Sequence, residues 1–232
     1  MLYRIGIENN NDGFRTVAWV LEHPGCFAYG RNANEAIHHL PNAIFEYAAW
    51  AGARGANWIA PEEIEIGIEE TFECYRIDQT TFERVETGGY IVESFFLHDW
   101  KPLTRSEIER ALQILSWSRD DLLGMVSQLD PEKLAATYPG ERWSIEGILR
   151  HIGGAEWWYM ERLGYAFSQD NLPKTPRERL ERVRISLVEL LPQLEGVKQV
   201  VGQDGELWSP RKMLRRTVWH ERDHIEHIRK LI

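Results

Sequence analysis

Hydrophobic and polar residues alternate through much of the first hundred positions, and such alternation is typical of β-strands with one buried face. The stretches 2–7 and 14–21 both alternate in this way, and the segment 9–13 between them consists of asparagine, aspartate and glycine. Turn residues between two alternating stretches predict a β-hairpin. A third, shorter strand is predicted at 26–29, where Gly30 ends the apolar run.

One helix and three further strands are predicted for the rest of this region. Asn34 precedes an acidic turn and is predicted to cap a helix that continues to about Trp50. Because Pro41 has no backbone N–H to donate, we expect the helix to kink or restart there. Isoleucines and glutamates alternate within 64–74, which predicts a half-buried strand with a solvated acidic face. The later strands are predicted at 64–74, 82–85 and 90–97, the last two paired across Gly88 and Gly89.

From Thr104 onward the apolar positions recur with helical spacing, and residues that favour helix starts mark each repeat. Thr104 with Glu107, and Thr175 with Glu178, fit capping boxes. Asp130, followed by proline, is expected to end the first helix. Four long amphipathic helices in this length of chain predict a four-helix bundle. The helices are predicted at 104–129, 144–163, 175–194 and 209–232.

The predicted fold class is therefore α+β, with a small β-β-β-α-β domain over 1–99 and an all-α four-helix bundle over 100–232. The charge distribution supports this division. Of the net charge of −9, residues 1–99 contribute −10, from six basic and sixteen acidic side chains, whereas residues 100–232 carry +1. Two units with different surfaces explain so uneven a distribution.

Composition also excludes several function classes. Nucleic-acid binding depends on clustered lysine and arginine, which neither half provides, so no nucleic-acid partner is expected. No apolar run approaches the roughly 18 residues of a membrane span, and the first residues lack the features of a signal peptide, so no membrane partner is expected either. Two cysteines, Cys26 and Cys74, are typical of reduced core residues in a cytoplasmic protein.

A set of histidines on the last predicted helix carries the clearest chemical signal. His220 and His224 are one turn apart on the same face, and His227 lies three residues further along. Two imidazoles with this spacing can bind one metal ion, although a row of histidines is also compatible with a solvated helix face. Residues 220–224 also fit the H-E-x-x-H pattern of zinc peptidases. The longer form of that pattern requires glycine at 227 and histidine at 230, where this chain has His227 and Lys230, so a peptidase is not favoured.

Any third protein ligand must then come from upstream, and His151 is the candidate. It lies in the second predicted helix at the edge of the apolar positions 145, 148, 149 and 152. An imidazole in a bundle core must form a hydrogen bond or bind a metal, because burying it without a partner is unfavourable. Both interpretations, a core histidine with one hydrogen bond and a metal ligand, remain open at this point.

These residues carry a resemblance to a known family. The stretch Trp143–His151, followed by Glu156 and Trp157–Tyr159, resembles the second helix of the DinB/YfiT family, and Val218–His224 is similar to that family's last helix. The resemblance covers about 103–232 and implies a four-helix bundle in which one histidine of the second helix and an H-x3-H pair of the last hold a divalent metal ion.

For this chain the resemblance implies His151, His220 and His224 as the ligands of a divalent metal ion, zinc or nickel, with positions left open for water or substrate. His227 departs from the family, where glutamine is common. His227 therefore has two alternative roles in this chain: it donates a hydrogen bond beside the ligands, or it is an additional ligand of the metal.

The family's characterised activities imply the chemistry. They are transfers and isomerisations that use a low-molecular-weight thiol, which makes this chain a candidate metal-dependent thiol S-transferase with a small-molecule substrate. Neutral ligands leave the full charge of the metal available to acidify a bound thiol or water. Glu221, Glu156 and Tyr159 are candidate catalytic groups for handling protons; their alternative roles are helix-surface charges and packing.

A second resemblance concerns the first domain. Residues 18–37 combine a proline-glycine-cysteine turn, an isolated glycine and a helix that opens on Glu35 and Ala36, and this segment is similar to the HicB-like antitoxin fold. The likeness is good over about 1–50 and loose beyond. Antitoxins of this kind usually add a DNA-binding segment, which the sequence does not show, so the fold is implied without the antitoxin function.

The competing functional class is non-enzymatic: a metal-sensing or partner-binding protein whose histidines form a structural metal site. The ten tryptophans of the chain bear on the question of partners. Trp157, Trp158, Trp208 and Trp219 can line a pocket, but tryptophan in a bundle is more often found in the core or at a dimer interface. A homodimer is therefore expected.

Overall fold

The computed structural model describes residues 2–11, 13–59 and 63–232. The chain forms two compact units. The first contains the residues up to Lys101 together with Val200–Trp208, and the second contains Pro102–Gln199 and Ser209–Ile232. The first unit is built mainly of β-strands and the second of helices, so the predicted mixed α+β class is confirmed. No helix in the described part of the chain is both long enough and apolar enough to cross a membrane.

The main sheet of the first unit has four strands in the order β3-β2-β1-β4. The strand β1 pairs antiparallel with β2 and parallel with β4, while β2 and β3 are antiparallel. Three short strands form a second sheet, and β8 and β9 form a separate hairpin. The strands are β1 (Leu2–Asn11), β2 (Arg15–Val20), β3 (Phe27–Gly30), β4 (Glu65–Glu73), β5 (Tyr75–Ile77), β6 (Arg84–Val85), β7 (Tyr90–Val92), β8 (Val201–Gln203) and β9 (Glu206–Trp208).

The helix of the first unit, α1 (Ala33–Gly52), packs against β2 and β3. Its N-cap is Asn32, whose side chain accepts a hydrogen bond from the backbone N–H of Glu35, so the predicted cap at Asn34 is wrong by two residues. The helix continues through Pro41 without interruption, and the predicted restart there is wrong. Buried side chains of β1 and α1 belong to the core of this unit: Tyr3, Ile5, Ile7, Leu40, Ile44 and Tyr47.

The later strands differ from the prediction in their partners. The strands β6 and β7 do not pair with each other across Gly88 and Gly89; both pair with β5, in the order β6-β5-β7. In β4 the register shifts, because Ile5 pairs with Ile68 but Gly6 pairs with Glu70. An extra residue in one strand breaks the alternation of faces. As a result Ile68, predicted on the buried face, is 55% exposed.

Four of the helices in the second unit are 15 to 22 residues long. Their starts were predicted well: Thr104 and Glu107 form a reciprocal capping box, and Ser144 and Ser209 accept hydrogen bonds from backbone N–H groups three residues further along. At Thr175 the hydroxyl binds the Glu178 carboxylate instead of a backbone N–H. The helices are α2 (Arg105–Val126), α3 (Pro131–Ala135), α4 (Ile145–Glu161), α5 (Pro176–Leu190) and α6 (Pro210–Leu231).

The helix α2 ends at Val126, three residues before the predicted end, and Asp130 caps the additional short helix α3. Among the long helices, α4 packs against α5 and α6, and α6 also packs against α2. This arrangement places α4 beside α6, the two helices that carry the candidate ligands. Apolar side chains close the space between the helices: Leu122, Ile145, Ile148, Leu149, Ile152, Leu180, Ile225 and Ile228.

An ion pair at the start of α2 predicts how stability depends on pH. Arg211 forms a two-pronged ion pair with Glu107, whose oxygen also bonds the Thr104 hydroxyl. Burial alone would raise the pKa of Glu107, but Arg211 and Thr104 outweigh it and lower the pKa to about 2. The ionised form is therefore favoured by folding, and its contribution is complete above the ordinary pKa of the side chain and disappears as the pH falls toward 2.

We expect Glu107→Gln to cost about 2 kcal/mol of unfolding free energy at pH 7, a value reduced for partial exposure of the carboxylate. The difference from the unsubstituted protein should shrink progressively from pH 4.5 downward in chemical denaturation. Glu109→Gln is the control, because the Glu109 carboxylate is exposed and lies 3.7 Å from Arg105. A loss of unfolding free energy in Glu107→Gln that does not change with pH would contradict the lowered pKa of Glu107.

Candidate metal centre

Helices α4 and α6 bring three histidines together. His220 and His224 lie one turn apart on α6, and His151 of α4 faces them. The Nε2 atom of His220 is 3.0 Å from Nε2 of His151 and 3.2 Å from Nε2 of His224. All three ligand atoms lie within 4.8 Å of one another. Among the residues that the structure describes, no other group of three potential ligand side chains comes together in this way.

The spacing of these nitrogens fits a metal ion. Nitrogen ligands at the usual zinc distance are about 3.3 Å apart in a tetrahedral site, close to the separations of His220 from His151 and from His224. Neutral imidazoles that turn the same nitrogen toward one another can satisfy only part of their hydrogen-bonding capacity. A cation between them satisfies all three lone pairs. The donor set, three imidazole nitrogens, is one that zinc, nickel, copper and iron accept.

The surroundings of His151 and His220 favour the neutral form of both side chains. Burial is the main cause that lowers the pKa of His151, and the positive charge of Arg142 adds to it. The pKa of His220 is lowered well below its ordinary value, first by burial and then by His224, His151 and Arg216. Neutral imidazole is the form that binds metal ions. Both shifts therefore favour ligation near neutral pH.

Aromatic rings fix the orientation of two of the three imidazoles. The ring centroid of Trp143 lies 4.6 Å from that of His151, and the Arg142 guanidinium lies 4.6 Å from the Trp143 ring. The ring of Tyr159 meets His220 edge-on at 6.0 Å. Tyr159, predicted as a catalytic group, is thus a buried neighbour of the histidine cluster. The contact of Trp143 with His151 was not predicted, although the two residues are only eight positions apart in the sequence.

His227 lies outside the cluster. Its Nε2 atom is 2.8 Å from a carboxylate oxygen of Glu141, and its ring centroid is 5.8 Å from that of His224. The sequence left open whether His227 donates a hydrogen bond beside the ligands or is itself a ligand. In the structure its partner is Glu141, an acidic residue of the loop before α4.

Glu156 and Glu221 take part in a buried ion network, defined as these two carboxylates with Arg119 and Arg184. Glu221 accepts from both arginines, and so does Glu156. Burial alone would raise the pKa of Glu221, but Arg184 and Arg119 lower it. Burial alone would lower the pKa of Arg184, and the two glutamates instead raise it. A proton-handling role for either carboxylate stays a prediction that these contacts do not favour.

The tryptophans expected to line a pocket have separate contacts. Trp157 donates to the carbonyl of Phe167, and Trp158 and Trp219 lie under the guanidinium groups of Arg162 and Arg216. Trp208 is buried in β9 of the first unit.

Comparison with known families bears on the second unit. The model of the DinB superfamily matches residues 114–228. This range contains His151, His220 and His224, and it leaves residues 1–113 unmatched. Neither the curated proteins nor the solved structures contain a match to the chain. The C-terminal part of the chain is therefore DinB-like, in agreement with the resemblance noted from the sequence.

Proposed function

We propose that the second unit is a four-helix bundle of the DinB type that binds one divalent metal ion, zinc or nickel, through His151, His220 and His224. The observation that carries this proposal is the convergence of the three Nε2 atoms, two pairs of which are 3.0 and 3.2 Å apart. The family match over 114–228 supports it, because it spans both helices that supply the ligands.

We further propose that the site activates a low-molecular-weight thiol for transfer to an electrophilic substrate. When bound, the metal ion lowers the pKa of a thiol or water molecule at an open coordination position. In the transfer, the thiol loses its proton, its sulfur bonds an electrophilic carbon, and the leaving group departs with the bonding electrons. The chain's own part is to supply three neutral ligands and to hold their rings with Trp143 and Tyr159.

Of the groups that the sequence suggested for proton transfer, Tyr159 fits best. Its ring packs against His220, whereas Glu156 and Glu221 are engaged by Arg119 and Arg184. We therefore assign Tyr159 to orient His220 and to accept or donate a proton at its hydroxyl. The two glutamates belong to the ion network.

Metal analysis of the purified protein tests this proposal. We expect one equivalent of metal per chain, and X-ray absorption should show three imidazole nitrogens with at least one exchangeable water ligand. A protein that binds no divalent metal would contradict the assignment. Four protein ligands, His227 among them, would instead support the non-enzymatic alternative of a structural or sensing site.

The thiol reaction needs its own test with the metal-loaded protein. We expect turnover of model electrophiles with at least one of glutathione, bacillithiol or mycothiol, and loss of turnover in His220→Ala. Absence of turnover with every thiol, despite a full complement of metal, would reject the transferase and leave the metal site intact.

For the first unit, we propose a HicB-like fold. The support is the sequence motif at 18–37 and its placement in the structure, where the turn leads into β3 and then into α1. No DNA-binding role is proposed for this unit, because its acidic composition disfavours contact with phosphates.

A further inference from the structure

The ion network connects all four long helices of the second unit. Arg119 belongs to α2, Glu156 to α4, Arg184 to α5 and Glu221 to α6. Each side chain is at most 10% exposed. Two positive and two negative charges balance, so the network as a whole is neutral. Such an arrangement fixes geometry more than it adds stability, because the desolvation of buried charges offsets much of their attraction.

The two carboxylates come from the two helices that carry the metal ligands. Glu156 follows His151 on α4 by five residues, about 7.5 Å along the helix axis. Glu221 is next to His220 on α6, turned from it by about 100° around the helix. Any change in the separation or rotation of α4 and α6 at the network therefore changes the positions of His151 and His220.

The two arginines bridge these helices. Arg119 donates from Nε to Glu221 (2.8 Å) and from Nη2 to Glu156 (3.0 Å). Arg184 donates from Nε to Glu156 (2.7 Å) and from Nη2 to Glu221 (3.0 Å). Two like-charged carboxylates are thus held at a set distance by two rigid guanidinium groups, each of which bonds both of them.

The arginines are themselves fixed by the backbone. Nη1 of Arg119 donates to the carbonyl of Leu180 on α5 (2.7 Å), and Nη1 of Arg184 donates to the carbonyl of Leu115 on α2. Each arginine therefore ties its own helix to the opposite one as well as to both glutamates. The planar guanidinium, with five donors in fixed directions, suits this bridging, whereas the ammonium of lysine does not.

From these contacts we infer that the Arg119–Glu156–Arg184–Glu221 network positions the metal site, by setting the spacing of α4 and α6 at which His151 meets His220 and His224. The four side chains are positioning residues and do not touch the metal. The inference rests on the proposed metal-binding function, which it extends by naming what holds the ligands in place. Ligand sets must be held to within about 0.5 Å for a site to function.

The test is the double variant Arg119→Lys/Arg184→Lys, which keeps both charges and removes the bridging geometry. Co²⁺ is the probe, because its visible absorption reports both affinity and coordination geometry. We expect Co²⁺ affinity to fall about 10- to 100-fold, the range found when groups that orient ligands are lost, with a changed absorption spectrum. The matched control is Arg105→Lys/Arg182→Lys, which alters exposed arginines of α2 and α5 and should leave both readouts unchanged.

Circular dichroism and thermal unfolding establish that each variant is folded under the binding conditions. A network that serves stability alone would lower the melting temperature and leave the Co²⁺ affinity and spectrum of the folded protein unchanged; that result overturns the inference. If the lysine variant does not fold, Glu156→Gln replaces it, since it keeps the side-chain shape and removes one charge. Its Co²⁺ affinity and spectrum are then compared with those of the unsubstituted protein, with the same two outcomes. Failure of the unsubstituted protein to bind Co²⁺ would reject the proposed function itself.

Discussion

Replacing His220 with alanine is expected to abolish metal binding. His220 is the central ligand, because its Nε2 atom is near the Nε2 atoms of both His151 and His224. It is also the most buried of the three, with 7% of its surface exposed. Loss of groups that only orient ligands already weakens metal affinity about 10- to 100-fold, so loss of this ligand should weaken it by more. Zn²⁺ affinity, measured by competition with a chromophoric chelator, provides the readout.

His227→Ala is the matched control for this experiment. His227 lies on the same helix and is bonded to Glu141, so its removal should leave Zn²⁺ affinity within about threefold, well inside the effect expected for a ligand. His151→Ala should resemble His220→Ala. Unchanged binding in His151→Ala, or strong loss in His227→Ala, would show that the ligand set is different from the one proposed.

The spacing of the histidines was predictable from the sequence because it depends on one helix. His220 and His224 face the same way in any α-helix, whatever surrounds them. The position of His151 on α4 could not be predicted in the same way, because this residue meets His220 and His224 only through tertiary packing. The sequence placed His151 at the edge of an apolar face as a candidate ligand, and only the family resemblance favoured ligation over a core hydrogen bond.

The helix starts were also local and therefore predictable. Thr104, Ser144 and Ser209 each cap the helix that follows, since a capping hydrogen bond spans three residues. The predictions of secondary structure were wrong where tertiary packing outweighed a local sequence preference, or where the element was very short. The helix α1 continues through Pro41, in its third turn, where Leu40 and Ile44 on either side of the proline are buried. The hairpin β8–β9 is too short to give a clear alternation.

Long-range polar pairing was the part that the sequence did not reveal. Glu8, in an apparently ordinary strand, is fully buried and accepts hydrogen bonds from Trp19 and Ser94. Glu221 was predicted as a candidate for handling protons or as a helix-surface charge, yet it is buried and its partner Arg119 is 102 positions away in the sequence. Charged residues within an apolar face were the available signal, but nothing local identifies which opposite charge will meet them.

The ion network leads to a second large expected effect, this time on stability. Replacing Arg184 alone with methionine leaves two buried carboxylates with one guanidinium between them, and an uncompensated buried charge costs about 3–5 kcal/mol. We expect the second unit to lose this much unfolding free energy, measured by amide hydrogen exchange of α4 and α5 peptides in increasing urea. Arg177→Met, an exposed position on the same helix, should change it by no more than about 0.5 kcal/mol. A loss of less than about 1 kcal/mol of unfolding free energy in Arg184→Met would contradict this expectation. It would mean that the remaining carboxylates are protonated or reached by water. The network would then hold the helices less rigidly than its contacts indicate.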